Sequence, residues 1–76
     1  MKELVSFIVA RLVDQPEAVV LEEREDGDTV VVELRVAKED LGKVIGKQGR
    51  TIRSVRALVS AAASREGKRA TVEVVD

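Results

Sequence analysis

Two glycines three residues apart bound a short polar segment, Gly46-Lys47-Gln48-Gly49, which we call the glycine loop. Because glycine has no Cβ, the chain can turn sharply there and its backbone can approach a ligand closely. Lys47 places a positive charge inside the loop. A helix beginning just after Gly49 would direct free N–H groups and its dipole at an anion. These features favour contact with the phosphodiester backbone of a nucleic acid.

The charges of the chain are segregated around this loop. The formal net charge is only −1, but residues 1–37 carry −5 and residues 38–69 carry +6. Arg50 and Arg53 belong to the basic block and follow the loop directly. A weakly acidic protein can therefore present a local anion-binding face. The alternative is a solvated helix with scattered charges.

Composition limits the remaining chemistry. A chain of 76 residues predicts a single small domain over residues 1–76. It has no cysteine and no histidine, which excludes disulfides, thiolate metal sites and histidine-based triads. The serines have no convincing base partner, so we expect no enzyme, no catalytic residue and no cofactor. Acidic residues near a predicted turn favour a solvated turn over a metal site, namely Glu22, Glu23, Glu25, Asp26 and Asp28.

Neither a membrane span nor a signal peptide is predicted. The apolar runs are far too short to cross a bilayer. The N-terminus, Met1-Lys2-Glu3-Leu4, carries an acid and lacks a small-residue cleavage site. We therefore expect a cytoplasmic protein with no membrane partner.

The first half of the chain predicts a helix followed by a hairpin. Leu4, Val5, Ile8, Val9 and Leu12 recur on one helical face, and Asp14-Gln15-Pro16 ends that helix. Residues 18–25 favour a strand, and Asp26-Gly27-Asp28 is typical of a hairpin turn. In residues 29–36, Val30, Val32, Leu34 and Val36 alternate with Glu33 and Arg35, which indicates a strand with one buried face.

The second half predicts two helices and a last strand. A short helix over residues 38–44 ends at Gly46, and a long helix spans residues 51–66 with an apolar face of Ile52, Val55, Val59 and Ala62. Residues 68–75 form the last strand. A crossover of this kind pairs strands in parallel and in the right-handed sense. The prediction is an α+β fold, order α-β-β-α-α-β, with helices on one face of a three-stranded mixed sheet.

Three surface features are open to more than one interpretation. Phe7, the only aromatic residue, falls away from the apolar helix face; we predict that it folds back under a loop, and the alternative is an exposed anchor for a partner or second subunit. The small residues Ala57, Ala61, Ala62 and Ala63 suit either close helix approach in a dimer or a plain surface helix. Glu39-Asp40 near Lys43 favours charge complementarity at a helix N-terminus over catalysis.

The segment Val44-Ile45-Gly46-Lys47-Gln48-Gly49-Arg50-Thr51-Ile52 resembles the signature of the KH domain. The predicted element order is that of the type II fold, and the match spans essentially the whole chain. A KH protein of this length is similar to the bacterial KhpA family of small RNA-binding proteins. The resemblance implies single-stranded RNA as ligand, gripped by the glycine loop. It also implies a KhpB-like KH protein as partner and a role as an RNA chaperone in post-transcriptional regulation. It further implies links to cell-wall homeostasis and to the control of cell length.

Carried onto this chain, the resemblance assigns the glycine loop as the clamp, with Arg50 and Arg53 beside it. Ile45 and Ile52 would line or support the base groove, although Ile52 is also a natural core residue. On the helix, Arg53, Arg56 and Ser60 share one flank that could follow a backbone track. Without aromatic platforms, recognition uses a small aliphatic groove that binds weakly alone and gains from pairing. The competing interpretation is a KH-fold dimerisation or adapter module.

Overall fold

The structure is a computed structural model that describes residues 1–75. Its regular elements are α1 (Lys2–Ala10), β1 (Val20–Asp26), β2 (Thr29–Arg35), α2 (Leu41–Ile45), α3 (Arg50–Ser64) and β3 (Arg69–Val74). Single 3-10 turns at Pro16–Ala18, Lys38–Asp40 and Lys47–Gly49 connect them. The predicted order α-β-β-α-α-β is confirmed. Each helix and strand forms where the spacing of apolar residues in the sequence is typical of it.

Helix ends are the main departures from the predicted boundaries. α1 ends at Ala10, and the N–H of Leu12 donates to the carbonyl of Val9 at 2.9 Å in a tightened last turn. α3 begins one residue earlier than predicted, at Arg50, and ends at Ser64. At its C-terminus Gly67 adopts a φ of +71° and the N–H of Lys68 donates to the Ala63 carbonyl, a glycine-dependent helix stop.

β2 lies at the centre of the sheet, whose order is β1-β2-β3. β1 pairs with β2 antiparallel through the hairpin, and β2 pairs with β3 in parallel, with Val32 opposite Val72. The predicted mixed sheet is therefore confirmed. Val30, Val32 and Leu34 are buried under the helices, as their alternation predicted.

The helices cover one face of this sheet. Val5 and Val9 of α1 and Val59 of α3 are completely buried in the shared core. Ala63 takes the buried position at the end of α3, and Ala62, predicted for the apolar face, is only half-buried. At 3.6 residues per turn, position 63 lies about 40° from Val59 around the helix and position 62 about 60°, so Ala63 is the nearer to the buried direction of Val59.

Phe7 does not fold back, and that prediction was wrong. Its side chain is 58% exposed. Arg11, one turn later, stacks its guanidinium 3.6 Å from the ring centroid and donates to the Phe7 carbonyl at 2.9 Å. The helical period keeps Phe7 off the core face, and no segment in residues 1–75 reaches over it. In the same residues, no helix has the length and apolarity to cross a bilayer.

Candidate nucleic-acid interface

The glycine loop forms a tight, irregular connection between α2 and α3. Gly46 has φ/ψ of 78°/169° and Gly49 has 75°/14°, both outside the regions that ordinary residues favour. Between them Gln48 adopts a left-handed conformation at 57°/27°. Gly46 donates to the Gly42 carbonyl at 2.9 Å, and Gly49 donates to the Gly46 carbonyl at 3.0 Å. Three of the four residues of the glycine loop thus have a positive φ.

The two glycines are required for different reasons. A Cβ on Gly46 would lie 2.2 Å from Thr51 Oγ1 and 2.7 Å from the Thr51 backbone nitrogen. A Cβ on Gly49 would meet nothing within 4 Å. Gly46 is therefore needed by the packing of the chain itself, whereas the space above Gly49 is open to a ligand. Thr51 is a supporting residue that the pattern of glycines did not single out.

Arg50 and Arg53 fold back onto the loop. Arg53 Nη2 donates to the backbone carbonyl of Gln48 at 3.1 Å, and Arg50 Nη2 donates to Gln48 Oε1 at 3.3 Å. The first of these bonds holds Gln48, the residue of the loop with the least favourable backbone conformation. Since a guanidinium carries five donors, each arginine keeps N–H groups for an anion.

Lys47, Arg50 and Arg53 have no carboxylate within ion-pair distance among residues 1–75. Other cations of the basic block differ. Lys43 is paired with both Asp14 and Asp40, and Lys68 lies 3.4 Å from Glu25. The cations without an acidic partner in residues 1–75 therefore include the three around the glycine loop.

The structure brings all seven predicted site residues together at the junction of α2 and α3: Ile45, Gly46, Lys47, Gln48, Gly49, Arg50 and Arg53. Ile45 is 36% exposed at the end of α2 and presents an apolar surface next to the loop. Ile52 is 4% exposed and belongs to the core. Arg56 is tied to the sheet, because its Nε donates to the carbonyl of Val72 at 3.0 Å.

Asp40 is a buried support for α2 that the sequence did not identify. It occupies the N-cap position of α2, yet its side chain does not cap that helix and is 1% exposed. Its Oδ2 accepts from the backbone N–H of Gln15 at 3.0 Å, and Oδ1 lies 3.6 Å from Lys43 Nζ. The expectation of simple charge complementarity with the helix N-terminus was therefore incomplete, because the carboxylate ties α2 to the connection after α1.

The pKa of Asp40 reflects these contacts. Burial is the largest influence and raises the pKa, because it disfavours the charged form. Hydrogen bonds from the backbone N–H groups of Asp14 and Gln15, with the ammonium of Lys43, outweigh it and hold the pKa below its ordinary value. The pKa of Lys43 is raised, chiefly by its hydrogen bond to Asp14. The pair is thus ionised at neutral pH.

The acidic hairpin forms ion pairs with basic side chains. Arg24 pairs with Glu33 and Glu73 across the open face of the sheet, and Glu25 pairs with Lys68. Residues 1–75 contain no group of three or more acidic, histidine or cysteine side chains that could hold a metal ion.

A mixed three-stranded sheet, helices on one face and a Gly-x-x-Gly turn between the second and third helices define a KH domain in the type II order. The family model for the KhpA/KhpB KH domain matches residues 2–74. The chain therefore belongs to the KhpA/KhpB KH-domain family.

Relatives agree over the full length. The chain is 46% identical over 76 residues to the RNA-binding protein KhpA of Chlamydia trachomatis, covering 100% of this chain and 97% of that protein. It is 51% identical over 75 residues to the RNA-binding protein KhpA of Caldanaerobacter subterraneus, covering 99% and 100%. These relatives are named for RNA binding and not for catalysis, in agreement with the prediction that this protein is not an enzyme.

A solved structure shares the fold. Era of Aquifex aeolicus, bound to GDP and aluminium tetrafluoride, superposes with a TM-score of 0.63 at 19% identity. The match covers 96% of this chain but only 28% of the Era chain. At this identity the likeness concerns the fold alone.

Proposed function

We propose that this protein binds single-stranded RNA, with the glycine loop as a backbone clamp. The observation that carries the proposal is the placement of Lys47, Arg50 and Arg53 around that loop without acidic partners in residues 1–75. A cation already neutralised within the protein gains little from a phosphate, whereas an unpaired cation gains a charge-assisted contact and releases counterions from the nucleic acid.

The mechanism follows from the loop geometry. The RNA backbone lies over Gly49, where the surface is open, and a phosphate meets Lys47 and the N-terminus of the 15-residue helix α3. Arg53 holds Gln48 with one donor and offers its remaining donors to the next phosphate. Ile45 supplies apolar contact to a base. Such a site reads few bases and binds modestly.

The wider role in this proposal rests on family membership. Residues 1–76 would act as one KH domain in the cytoplasm, as an RNA chaperone and post-transcriptional regulator. A KhpB-like KH protein would be its partner, because a second domain raises the effective concentration of a weak site. The links to cell-wall homeostasis and cell length belong to the same proposal.

A charge-matched pair of variants tests the clamp. The double substitution Lys47→Asp with Gln48→Asp should abolish binding of a single-stranded RNA oligomer in a salt titration. The control, Ser64→Asp with Arg65→Asp, changes the net charge by the same amount at the exposed far end of α3. Circular dichroism establishes that both variants are folded. Equal RNA affinity for the folded loop variant and the wild type would refute the clamp.

A second candidate function is an adapter or dimerisation module. Leu58 is 56% exposed on α3, next to the exposed Ala57, and one turn before the exposed Ala61. This small-residue surface suits a helix–helix contact between KH domains. Sedimentation equilibrium with and without an RNA oligomer separates the candidates: a stable dimer that is indifferent to RNA favours the adapter.

A further inference from the structure

An open groove of about 370 Å³ lies between α1 and β1, the edge strand of the sheet. It is lined by Phe7 and Leu21, together with Lys2, Glu3 and Ser6. Phe7 is 58% exposed there, although it is the largest apolar side chain of α1. β1 is the outermost strand on this side of the sheet. One further strand, about 4.8 Å from β1, would fill the space below Phe7.

The outer edge of β1 presents backbone N–H and C=O groups with which such a strand would pair. The N–H groups of Arg69 and Val75 donate to the carbonyls of Asp28 and Leu34, so the even-numbered residues of β2 face β3. The odd-numbered residues of β2 therefore face β1, where they pair with even-numbered residues from Val20 to Asp26. It follows that residues 21, 23 and 25 direct their N–H and C=O groups outward, and no backbone partner meets them in residues 1–75.

We propose that the β1 edge and the Phe7 groove form a docking site for an extended, basic segment of a partner protein, which adds to the sheet as a fourth strand. Main-chain hydrogen bonds to the outward groups of β1 supply the pairing. Alternate apolar side chains of the segment enter the groove against Phe7 and Leu21. The intervening side chains fall on the open face of the sheet.

The negative charge of β1 determines which kind of segment fits the docking site. β1 carries four acids and one base, Val20–Asp26 having a net charge of −3. On its open face Arg24 is already paired with Glu33 and Glu73, whereas Glu22 and Asp26 have no ion-pair partner in residues 1–75. Lysines or arginines at alternate positions of the incoming strand would neutralise them.

The same charges disfavour two other occupants. A second copy of this chain pairing through β1 would bring two strands of charge −3 side by side, and like charges on neighbouring strands destabilise a sheet. RNA would meet the same negative strand. The docking site shares no residue with the glycine loop, and the proposal does not depend on RNA binding.

A designed peptide tests the proposal on the full chain. The probe is an acetylated and amidated heptapeptide, Lys-Val-Lys-Leu-Lys-Val-Lys, titrated into isotope-labelled protein and followed by backbone amide shifts. We expect saturable shifts in α1 and β1 and unchanged shifts at the glycine loop. Phe7→Ala and Glu22→Lys should each weaken binding about tenfold or more. Glu39→Lys, the same charge reversal at an exposed acid before α2, is the matched control for Glu22→Lys and should leave the affinity unchanged.

Strand addition has a further signature. Two N-methylated versions of the peptide are compared. In each version the methyl groups lie on alternate residues, so that they block hydrogen bonding along one of the two edges of the peptide strand. Only the version methylated on the edge that faces β1 should lose binding. Equal binding of both versions, or of a peptide with glutamate in place of lysine, would overturn the proposal. So would self-association of the free chain in sedimentation that Phe7→Ala abolishes, because the edge would then belong to a second copy.

Discussion

The side chain of Thr51 packs directly against Gly46, so that a Cβ at position 46 would lie 2.2 Å from Thr51 Oγ1. The first turn of α3 thus rests on the entrance of the glycine loop. Gly46 is the C-cap of α2, so this contact joins the end of α2 to the first turn of α3. A residue outside the glycine loop therefore contributes to the geometry on which the proposed clamp depends.

The two glycines should respond differently to alanine. Gly46→Ala combines an unfavourable backbone conformation with a steric clash and should lower the free energy of unfolding by about 3 kcal/mol. Gly49→Ala has the left-handed conformation but open space, and should cost about 1 kcal/mol. Urea denaturation of both variants measures the difference. Equal losses would contradict the packing argument.

Lys47 should contribute to the salt dependence of RNA binding. Lys47→Gln removes one unpaired cation, and the slope of log affinity against log salt concentration should become shallower by about 0.7 for single-stranded RNA. Lys68→Gln is the matched control, because Lys68 is paired with Glu25. Fluorescence anisotropy across a salt series gives both slopes. An unchanged slope for Lys47→Gln would remove Lys47 from the phosphate contacts.

Arg53 should matter for loop geometry as well as for charge. Arg53→Lys keeps the charge but loses the planar guanidinium that reaches the Gln48 carbonyl. A lost hydrogen bond of about 1 kcal/mol corresponds to roughly a fivefold fall in RNA affinity. The amide shifts of Gln48 and Gly49 should move in the free protein. If affinity falls while these shifts stay fixed, Arg53 acts through phosphate contact alone.

Asp40 should make the protein sensitive to acid. Its pKa is lowered in the folded state, so its stabilising effect is present above the unfolded-state pKa and is lost as the pH falls through the folded-state pKa. Asp40→Asn should lower Tm at neutral pH and flatten the decline of Tm in acid. Glu17→Gln, at an exposed carboxylate, is the control and should retain the wild-type profile. Thermal melts from neutral to acidic pH provide the comparison.

Local patterns were enough for the elements and their order. The alternation of Val30, Val32 and Leu34 predicted a strand with one buried face, and the three- and four-residue spacing of Ile52, Val55 and Val59 predicted the buried face of α3. Both patterns report which side of an element meets the core. Helix ends were less well predicted, because they depend on hydrogen bonds formed after the turn, as at Lys68 and Ala63.

Contacts between distant segments were beyond the reach of such patterns. Nothing local distinguishes Asp40 from an ordinary helix-capping acid, since its partner N–H on Gln15 lies 25 residues away. Phe7 was misplaced for the same reason: whether a side chain off the core face is covered depends on what other segments lie over it.

By itself the sequence determined the glycine loop, its basic surroundings and the order α-β-β-α-α-β, because residue types and spacing encode backbone freedom, charge and periodicity. The segment from Val44 to Ile52 carried the resemblance to the KH domain. The tertiary structure alone decided which cations are neutralised: Lys43 and Lys68 meet acids from remote segments, and Lys47, Arg50 and Arg53 meet none in residues 1–75. It also decided that Gly46 serves packing while the space above Gly49 is open. The physical reason is that pairing and packing are set by distances between segments, and the folded core fixes those distances.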